Sequence, residues 1–432
     1  MSISYQFSTK ELKNAITAVD AMAKKVPNDI AAGDSPMTLL KRDTGFSLVS
    51  ARDYFTAEVK LGEVVMIGTP DDAVADWDGT SPITEASTIG LIEPTVLSAL
   101  LSKLGAGTKT VQITIDKDRK KAKINAGSGR DYTMELGPSR KVVSSFRTIK
   151  AATEVTVMAS DQFEWFCNAI SSLSKVVRPS VSKPGFGCVC LNAFPSDGKT
   201  VQVSGNSDSD GYSVIYDTVM MSKCDFTALL PKNLSEAFSA FVSKLAPEGD
   251  VALSVILDDQ QKTSSIVFTS DSFSLSVACM KDDFPFKALS KITAMARDGY
   301  CQYDTDRDEL KKVIDRLALF SKTEDATTDV RILDGGTVEM VQHKGMMTRD
   351  KSARETLESG TLSAFPLELP DVGTVIKTSV LKSTINMIPG KLDTALTICK
   401  PQGNSNSRLS LIANDGTADI TIVLLGVKGA AI

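Results

Sequence analysis

Leu310, Val313, Ile314, Leu317 and Phe320 recur at spacings of three and four across Asp306 to Phe320, with Arg307, Lys311, Lys312, Asp315 and Arg316 between them. That period is one face of an α-helix, apolar inside and charged outside. Asp306 with Glu309 three residues on has the capping-box spacing, which satisfies backbone N–H groups at a helix start. The same apolar spacing returns in Leu12, Ala15, Ile16, Val19 and Met22, with Ser8 and Glu11 in the capping positions. It returns again in Phe166, Ala169, Ile170, Leu173 and Val176, without the capping pair, so this helix starts from Ser160 or Asp161. Three copies about 150 residues apart imply three similar domains.

Each copy continues alike. Strand patterns follow the first helix at Met37 to Leu40, Phe46 to Ala51 and Phe55 to Leu61, and the Asp/Gly/Thr/Pro-rich stretch Gly68 to Ser87 reads as an exposed loop. A second helix opens at Pro94 and carries Leu97, Leu100, Leu101 and Leu104. Its counterparts are Leu234, Ala237, Phe238 and Phe241 after Pro231, and Leu381, Thr384, Ile385 and Ile388 after Thr378. Alternating strands close each copy, with turns at Gly127-Ser128-Gly129, Ser270-Asp271-Ser272 and Asn414-Asp415-Gly416. In the third copy Lys344 to Gly360 is a polar stretch. The fold class is therefore α+β, with domains at 1–150, 151–295 and 296–432, each made of two helix-plus-strands halves. One half has too few apolar positions to cover its own sheet, so two halves must pack both helices on one layer of strands.

Composition narrows the classes. A chain of 432 residues suits about three domains. No run of about 18 apolar residues suggests a membrane span, and MSISYQFSTKEL lacks a basic lead into an apolar core, so the expected location is cytoplasmic. The net charge of −5 excludes a protein basic over its whole surface but not a local basic stripe. Seven cysteines without CxxC spacing read as reduced structural thiols, and no metal or cofactor is expected. The one histidine, His343, sits among no recurring partners, and no phosphate-loop motif is present. Acidic pairs such as Asp71-Asp72, Asp208/Asp210 and Asp282-Asp283 lie at turns, where Asp is common for backbone reasons. No catalytic residue is assigned, and the chain is read as a non-enzyme.

Basic residues recur on or just past the six helices, away from the apolar stripe: Lys10, Lys13, Lys24, Lys25, Lys103, Lys175, Arg178, Lys232, Lys244, Arg307, Lys311, Lys312, Arg316, Lys377 and Lys382. One such face alone is an ordinary solvated surface. Six on one side of an array would present a weakly basic surface to a phosphate backbone, without reading sequence.

The motifs Leu191-Asn192, Ser209-Asp210-Gly211 before Val214, Leu230-Pro231-Lys232 and Asp283-Phe284-Pro285, in this order, together with Asp308-Glu309-Leu310 through Arg316-Leu317, resemble the bacterial DNA polymerase sliding clamp, the beta subunit of the replicative polymerase. The resemblance covers essentially the whole chain. It implies a head-to-tail homodimer closed around double-stranded DNA, with the DNA polymerase and the clamp loader as partners. Twelve helices spaced about 9 Å apart would enclose a hole about 25 Å across, wide enough for a B-form duplex. The resemblance also implies a peptide groove between the middle and last domains, carried over to Ser209, Asp210, Gly211, Val214, Pro285, Leu289, Ile422 and Leu424. This chain departs there. Tyr212-Ser213 stands where the family has His-Arg, and the tail runs on past Leu424-Leu425-Gly426-Val427. Such a groove accepts a different peptide, as in a divergent viral or plasmid-borne system whose clamp works in the host cytoplasm, or is altered beyond use. The competing reading is a structural or adhesion protein built from repeated α+β domains.

Overall fold

In the computed structural model one order of elements runs three times along the chain. The structure describes residues 3–25, 34–43, 45–62, 64–68, 74–79, 81–127, 129–146, 152–178, 184–193, 200–207, 210–245, 249–282, 284, 294, 296, 299–321, 323–333, 336–344, 351–357, 359–364, 372–401 and 408–427. The first run is β1 (Ile3–Ser8), α1 (Thr9–Lys25), β2 (Met37–Arg42), β3 (Gly45–Arg52), β4 (Phe55–Lys60), β5 (Val65–Ile67), β6 (Thr88–Leu91), α2 (Pro94–Lys103), β7 (Thr110–Ile115), β8 (Lys121–Asn125), β9 (Asp131–Gly137) and the short α3 (Arg140–Ser145). The second is β10 (Thr153–Met158), α4 (Ser160–Val176), β11 (Cys188–Ala193), β12 (Thr200–Ser207), β13 (Tyr212–Met221), β14 (Phe226–Pro231), α5 (Lys232–Leu245), β15 (Val251–Leu257), β16 (Thr263–Thr269) and β17 (Phe273–Ala278). The third is β18 (Gly299–Thr305), α6 (Arg307–Leu319), β19 (Thr327–Leu333), β20 (Thr337–His343), β21 (Lys351–Leu357), β22 (Thr361–Ala364), β23 (Val372–Lys377), α7 (Thr378–Ile385), β24 (Leu396–Pro401), β25 (Arg408–Asn414) and β26 (Ala418–Leu425).

The sequence pattern located the helices. It missed the strand that leads into each of them: β1, β6, β10, β14, β18 and β23 run directly into the six long helices. These strands explain why a half cannot stand alone. β1 pairs with β7 and β6 with β2, so the two halves exchange their leading strands. The exchange recurs as β10 with β15 and β14 with β11, then as β18 with β24 and β23 with β19. Each half therefore needs the other to satisfy its backbone groups as well as to cover its apolar face. Pro231 ends β14 opposite Cys188, and α5 begins one residue later than its motif suggested.

By its contacts the chain forms two compact units, residues 1–167 with 233–279 and residues 168–232 with 280–432, so the division passes through the second run of elements. The first unit holds a thirteen-stranded sheet in the order β10-β15-β16-β17-β4-β3-β2-β6-β9-β8-β7-β1-β5. Phe163, Phe166, Phe238, Phe241, Phe268 and Phe273 fill part of its core, with the Phe238 and Phe268 rings 4.7 Å apart. The second unit holds a nine-stranded sheet, β14-β11-β12-β13-β26-β25-β24-β18-β22, and a four-stranded one, β21-β20-β19-β23. There Leu310, Val313, Ile314 and Leu317 of α6 are buried as their spacing predicts, whereas Phe320 caps the helix and is 51% exposed. Asp306 caps the other end, its carboxylate accepting the Asp308 and Glu309 N–H groups at 2.8 and 3.0 Å. Glu309 does not complete the capping box; it pairs with Lys312 at 2.7 Å.

Both units join successive runs in the same way. The third strand after the first helix of a run pairs antiparallel with the last strand of a run next to it: β4 with β17, and β13 with β26. No helix among the described residues is long and apolar enough to cross a membrane.

Candidate partner groove and helix cations

Within the second unit the β13–β26 seam places Val214 opposite Ile422 and Tyr212 opposite Leu424. Val214, Ile422 and Leu424 are fully buried there, so they hold the seam together and present no side chain to solvent. Asp210 and Gly211 form the turn that enters β13. Gly211 adopts φ +72°, donates its N–H to Ser207 O at 2.9 Å and accepts the Leu425 N–H at 2.7 Å. The positive φ favours glycine, and a Cβ on Gly211 would stand 3.3 Å from the Leu425 Cβ, which would have to give by a few tenths of an ångström. Gly211→Ala is expected to destabilise the chain by about 1 to 2 kcal/mol. Denaturant unfolding checks this; an unchanged midpoint would show that the turn is not constrained. Ser209, Pro285 and Leu289 lie outside the described residues.

Sequence reasoning missed what stands beside that turn. A cleft of about 370 Å³ lies between the C-terminal part of α4 and the side of α7, with Asp210 and Tyr212 at one wall. Val176, Val380 and Met387 are buried and form its apolar lining. The Tyr212 ring is fixed by its hydroxyl, which donates to Val176 O at 3.2 Å; burial raises the pKa of this phenol, with Asp210 adding to the effect. The polar lining is Ser172, Lys175 and Arg178 on one side and Ser379, Ser383 and Asn386 on the other. Arg178 lies 3.7 Å from the Asp210 carboxylate, which also accepts the Ser207 hydroxyl at 2.9 Å. Leu425, one residue beyond the predicted groove position, is 44% exposed above Gly211. The signal that could have found the cleft is the Tyr212-Ser213 departure, which flags Tyr212. The approach of Lys175 and Ser379 has no local sequence signature.

The helix cations divide into two sets. Lys10, Lys13, Lys103, Lys175, Lys232, Lys244 and Lys377 have no hydrogen-bond or ion-pair partner for their side chains among the described residues. Lys24 is held by Asp20 at 2.5 Å and Lys25 by Glu236 at 3.6 Å. On α6 every cation is engaged. Arg307 donates to Ile388 O at 3.0 and 3.2 Å and to Asp308 at 2.6 Å, so it closes the end of the α7 segment. Lys311 meets Asp315 at 2.6 Å, and Lys382 reaches the same carboxylate at 3.4 Å. The Lys311 hydrogen bond is the main reason that the Asp315 pKa lies below the usual carboxylate range. Arg316 binds Glu355 of β21 through two hydrogen bonds of 2.9 Å, which lower the Glu355 pKa in the same way.

Buried thiols complete the inventory. Cys167, Cys188, Cys190, Cys301 and Cys399 are buried and form no disulfide among the described residues, and burial pushes the Cys188 and Cys399 thiols up to about 12 and Cys301 to about 11. Such thiols are poor nucleophiles and poor metal ligands at neutral pH.

No model of a known protein family matches the chain, and no curated protein does. Solved structures match it along its whole length. A putative DNA polymerase III beta subunit from Eubacterium rectale covers 99% of this chain with 100% of its own, at a TM-score of 0.72 and 12% identity. The DNA polymerase III beta subunit from Thermotoga maritima gives the same coverage and TM-score at 8% identity. A DnaN sliding clamp from Pseudomonas aeruginosa, solved bound to griselimycin, covers 99% of this chain with 100% of its own at a TM-score of 0.71 and 12% identity. The chain has the DNA clamp fold from end to end.

Proposed function

We propose that this protein is a DNA sliding clamp, a non-catalytic processivity factor that encircles duplex DNA and tethers a replicative DNA polymerase. The observation that carries this reading is the end-to-end match: the clamp fold accounts for 99% of the chain. Each run of elements is one domain, at 1–150, 151–295 and 296–432. The polymerase and the loader would dock at the cleft and turn around Asp210, Gly211 and Leu425.

Ring closure by two copies follows the pairing rule inside each unit. β4 takes β17 and β13 takes β26, which leaves β21, the third strand after the first helix of its run, without such a partner among the described residues. The strand that would receive it, β9, pairs with β8 and touches β6 only at Leu136 and Gly137, so its edge at 131–135 is open among the described residues. A head-to-tail dimer pairs β21 of one copy with β9 of the other, twice, and closes both open edges. Leu319 and Phe320, 78% and 51% exposed at the end of α6, supply apolar surface for the same junction.

The expected solution mass is therefore two chains, and Leu319→Lys with Phe320→Lys is expected to give a folded single chain by light scattering. A wild-type monomer at high concentration counts against the ring. Loaded protein should remain on nicked circular DNA and leave when that DNA is linearised; equal loss from both overturns the clamp reading.

A further inference from the structure

We propose that the charges on the two open strand edges set the polarity of ring closure: Arg354 of one copy meets Asp131 and Glu135 of the next, so that β21 joins β9 and neither edge joins its own kind. The inference rests on the two-chain ring proposed above and goes beyond it in naming the side chains that choose the partner edge.

Both edges have a defined inner and outer face. On β9 the partners of Tyr132 and Met134 are Ile124 and Ala122 of β8, both buried, so Tyr132, Met134 and Leu136 lie on the core side. Asp131, Thr133 and Glu135 therefore lie on the outer side, and all of them are exposed. On β21 the Glu355 carboxylate turns to Arg316 of α6 and Leu357 is buried, which fixes the helix side of that strand. Arg354 is on the outer side, 65% exposed, and pairs with Glu339 of β20.

A strand joins an edge with matching faces, because a shift of one residue would turn its apolar side chains to solvent. The antiparallel seams inside the chain obey this: Val214 faces Ile422 and Ala57 faces Leu275, all buried. Face-matched antiparallel registers that keep β21 on the open edge at 131–135 place Arg354 opposite Asp131, Thr133 or Glu135. In each of them a carboxylate stands directly opposite the guanidinium or one diagonal step away, within its reach.

Each edge charge is backed by the opposite sign one strand further in. Lys123 of β8 meets Asp131 at 2.9 Å. Lys121 is the cross-strand neighbour of Glu135, whose carboxylate has no partner among the described residues. Glu339 stands in the same way behind Arg354. Joining β21 to β9 therefore gives an outer face on which the sign alternates from strand to strand. Joining β9 to a second β9 would bring Asp131 and Glu135 against the same carboxylates, and joining β21 to a second β21 would set Arg354 beside Arg354. Like charges across a strand pair are destabilising, so the charges select head-to-tail closure from the pairings that open edges permit.

The test measures mass in solution, by light scattering across a dilution series, for wild type, for Arg354→Glu and for a chain carrying Asp131→Arg with Glu135→Arg. Each variant is expected to dimerise at least about tenfold more weakly than wild type at low salt, since lost attraction and new repulsion count at both junctions. The gap should narrow at about 1 M salt, where screening acts within about 3 Å. Mixing the two variants is expected to restore two-chain particles, because a mixed ring has one unaltered junction and one with both signs reversed. A chain with all three substitutions should dimerise by itself, and either restoration shows that the altered chains are folded. Arg354→Glu that dimerises as tightly as wild type overturns the charge assignment and leaves the ring standing. Weak variants that neither mixing nor the triple substitution restores also overturn it. A wild type that is a single chain at every concentration overturns the ring, and this inference with it.

Discussion

Replacing Lys10, Lys13, Lys103, Lys232 and Lys244 by glutamine is expected to reduce the slope of log affinity for duplex DNA against log salt by about 4 to 5, at about 0.9 for each phosphate that is no longer neutralised. The same treatment of Lys311, Lys312 and Arg316 is expected to change it by less than about 1. The contrast follows from who already holds each charge. The five lysines lack side-chain partners among the described residues, so a phosphate can take them without breaking anything. Lys311, Lys312 and Arg316 are matched by Asp315, Glu309 and Glu355 at 2.6, 2.7 and 2.9 Å. A cation already neutralised by a neighbour displaces few counterions when DNA arrives. Anisotropy titrations on a short linear duplex at several salt concentrations measure both slopes. Equal slopes for the two sets of variants would show that the ion pairs of α6 open when DNA binds. If the chain closes into the proposed ring, retention on circular DNA should survive either set, because topological linkage does not depend on the strength of individual phosphate interactions.

The pairing on α6 shows how far the sequence could be read. The contacts of Lys311 with Asp315 and of Glu309 with Lys312 join residues four and three apart, which any helical reading brings together. The Arg316–Glu355 pair spans 39 residues and depends on where β21 lies, so no local pattern announces it. β21 itself, KSARETL, has little apolar alternation because it is an edge strand with one neighbour among the described residues, and it read as part of a polar stretch. β1 had a legible pattern: Ile3, Tyr5 and Phe7 alternate inward over six residues, too few to stand out beside the seventeen-residue helix that follows. At the candidate site the turn at Asp210 and Gly211 was legible from residue type. The burial of Val214, Ile422 and Leu424 was not, because it depends on β13 meeting a strand two hundred residues away, and the same distance hides the cleft.

Lys400 is expected to make the chain more stable as pH rises from about 8 to about 10.5, by about 3 kcal/mol at most. It lies on β24, 4% exposed, with its ammonium donating to Gly373 O at 2.8 Å and Thr374 Oγ1 at 3.2 Å on β23. It therefore ties the nine-stranded sheet to the four-stranded one within the second unit. Burial lowers its pKa to about 8, with Asp329 opposing the shift. Asp329, itself buried, spends one oxygen on Arg331 at 2.7 Å. Below pH 8 both folded and unfolded chains carry the Lys400 proton, and the folded state bears the full cost of burying the charge. Between the two pKa values the unfolded chain binds more protons than the folded one, so stability rises with pH. Cys188, Cys301 and Cys399 act in the opposite direction, since thiols raised to about 12, 11 and 12 favour the folded state only until the unfolded thiols ionise. The observable is therefore the difference between wild type and Lys400→Met in denaturant unfolding from pH 7 to pH 10. Wild type should gain on the variant throughout the upper half of that range. A difference that stays flat would mean that Lys400 keeps its ordinary pKa in the folded chain, and that its two hydrogen bonds offset the cost of burial.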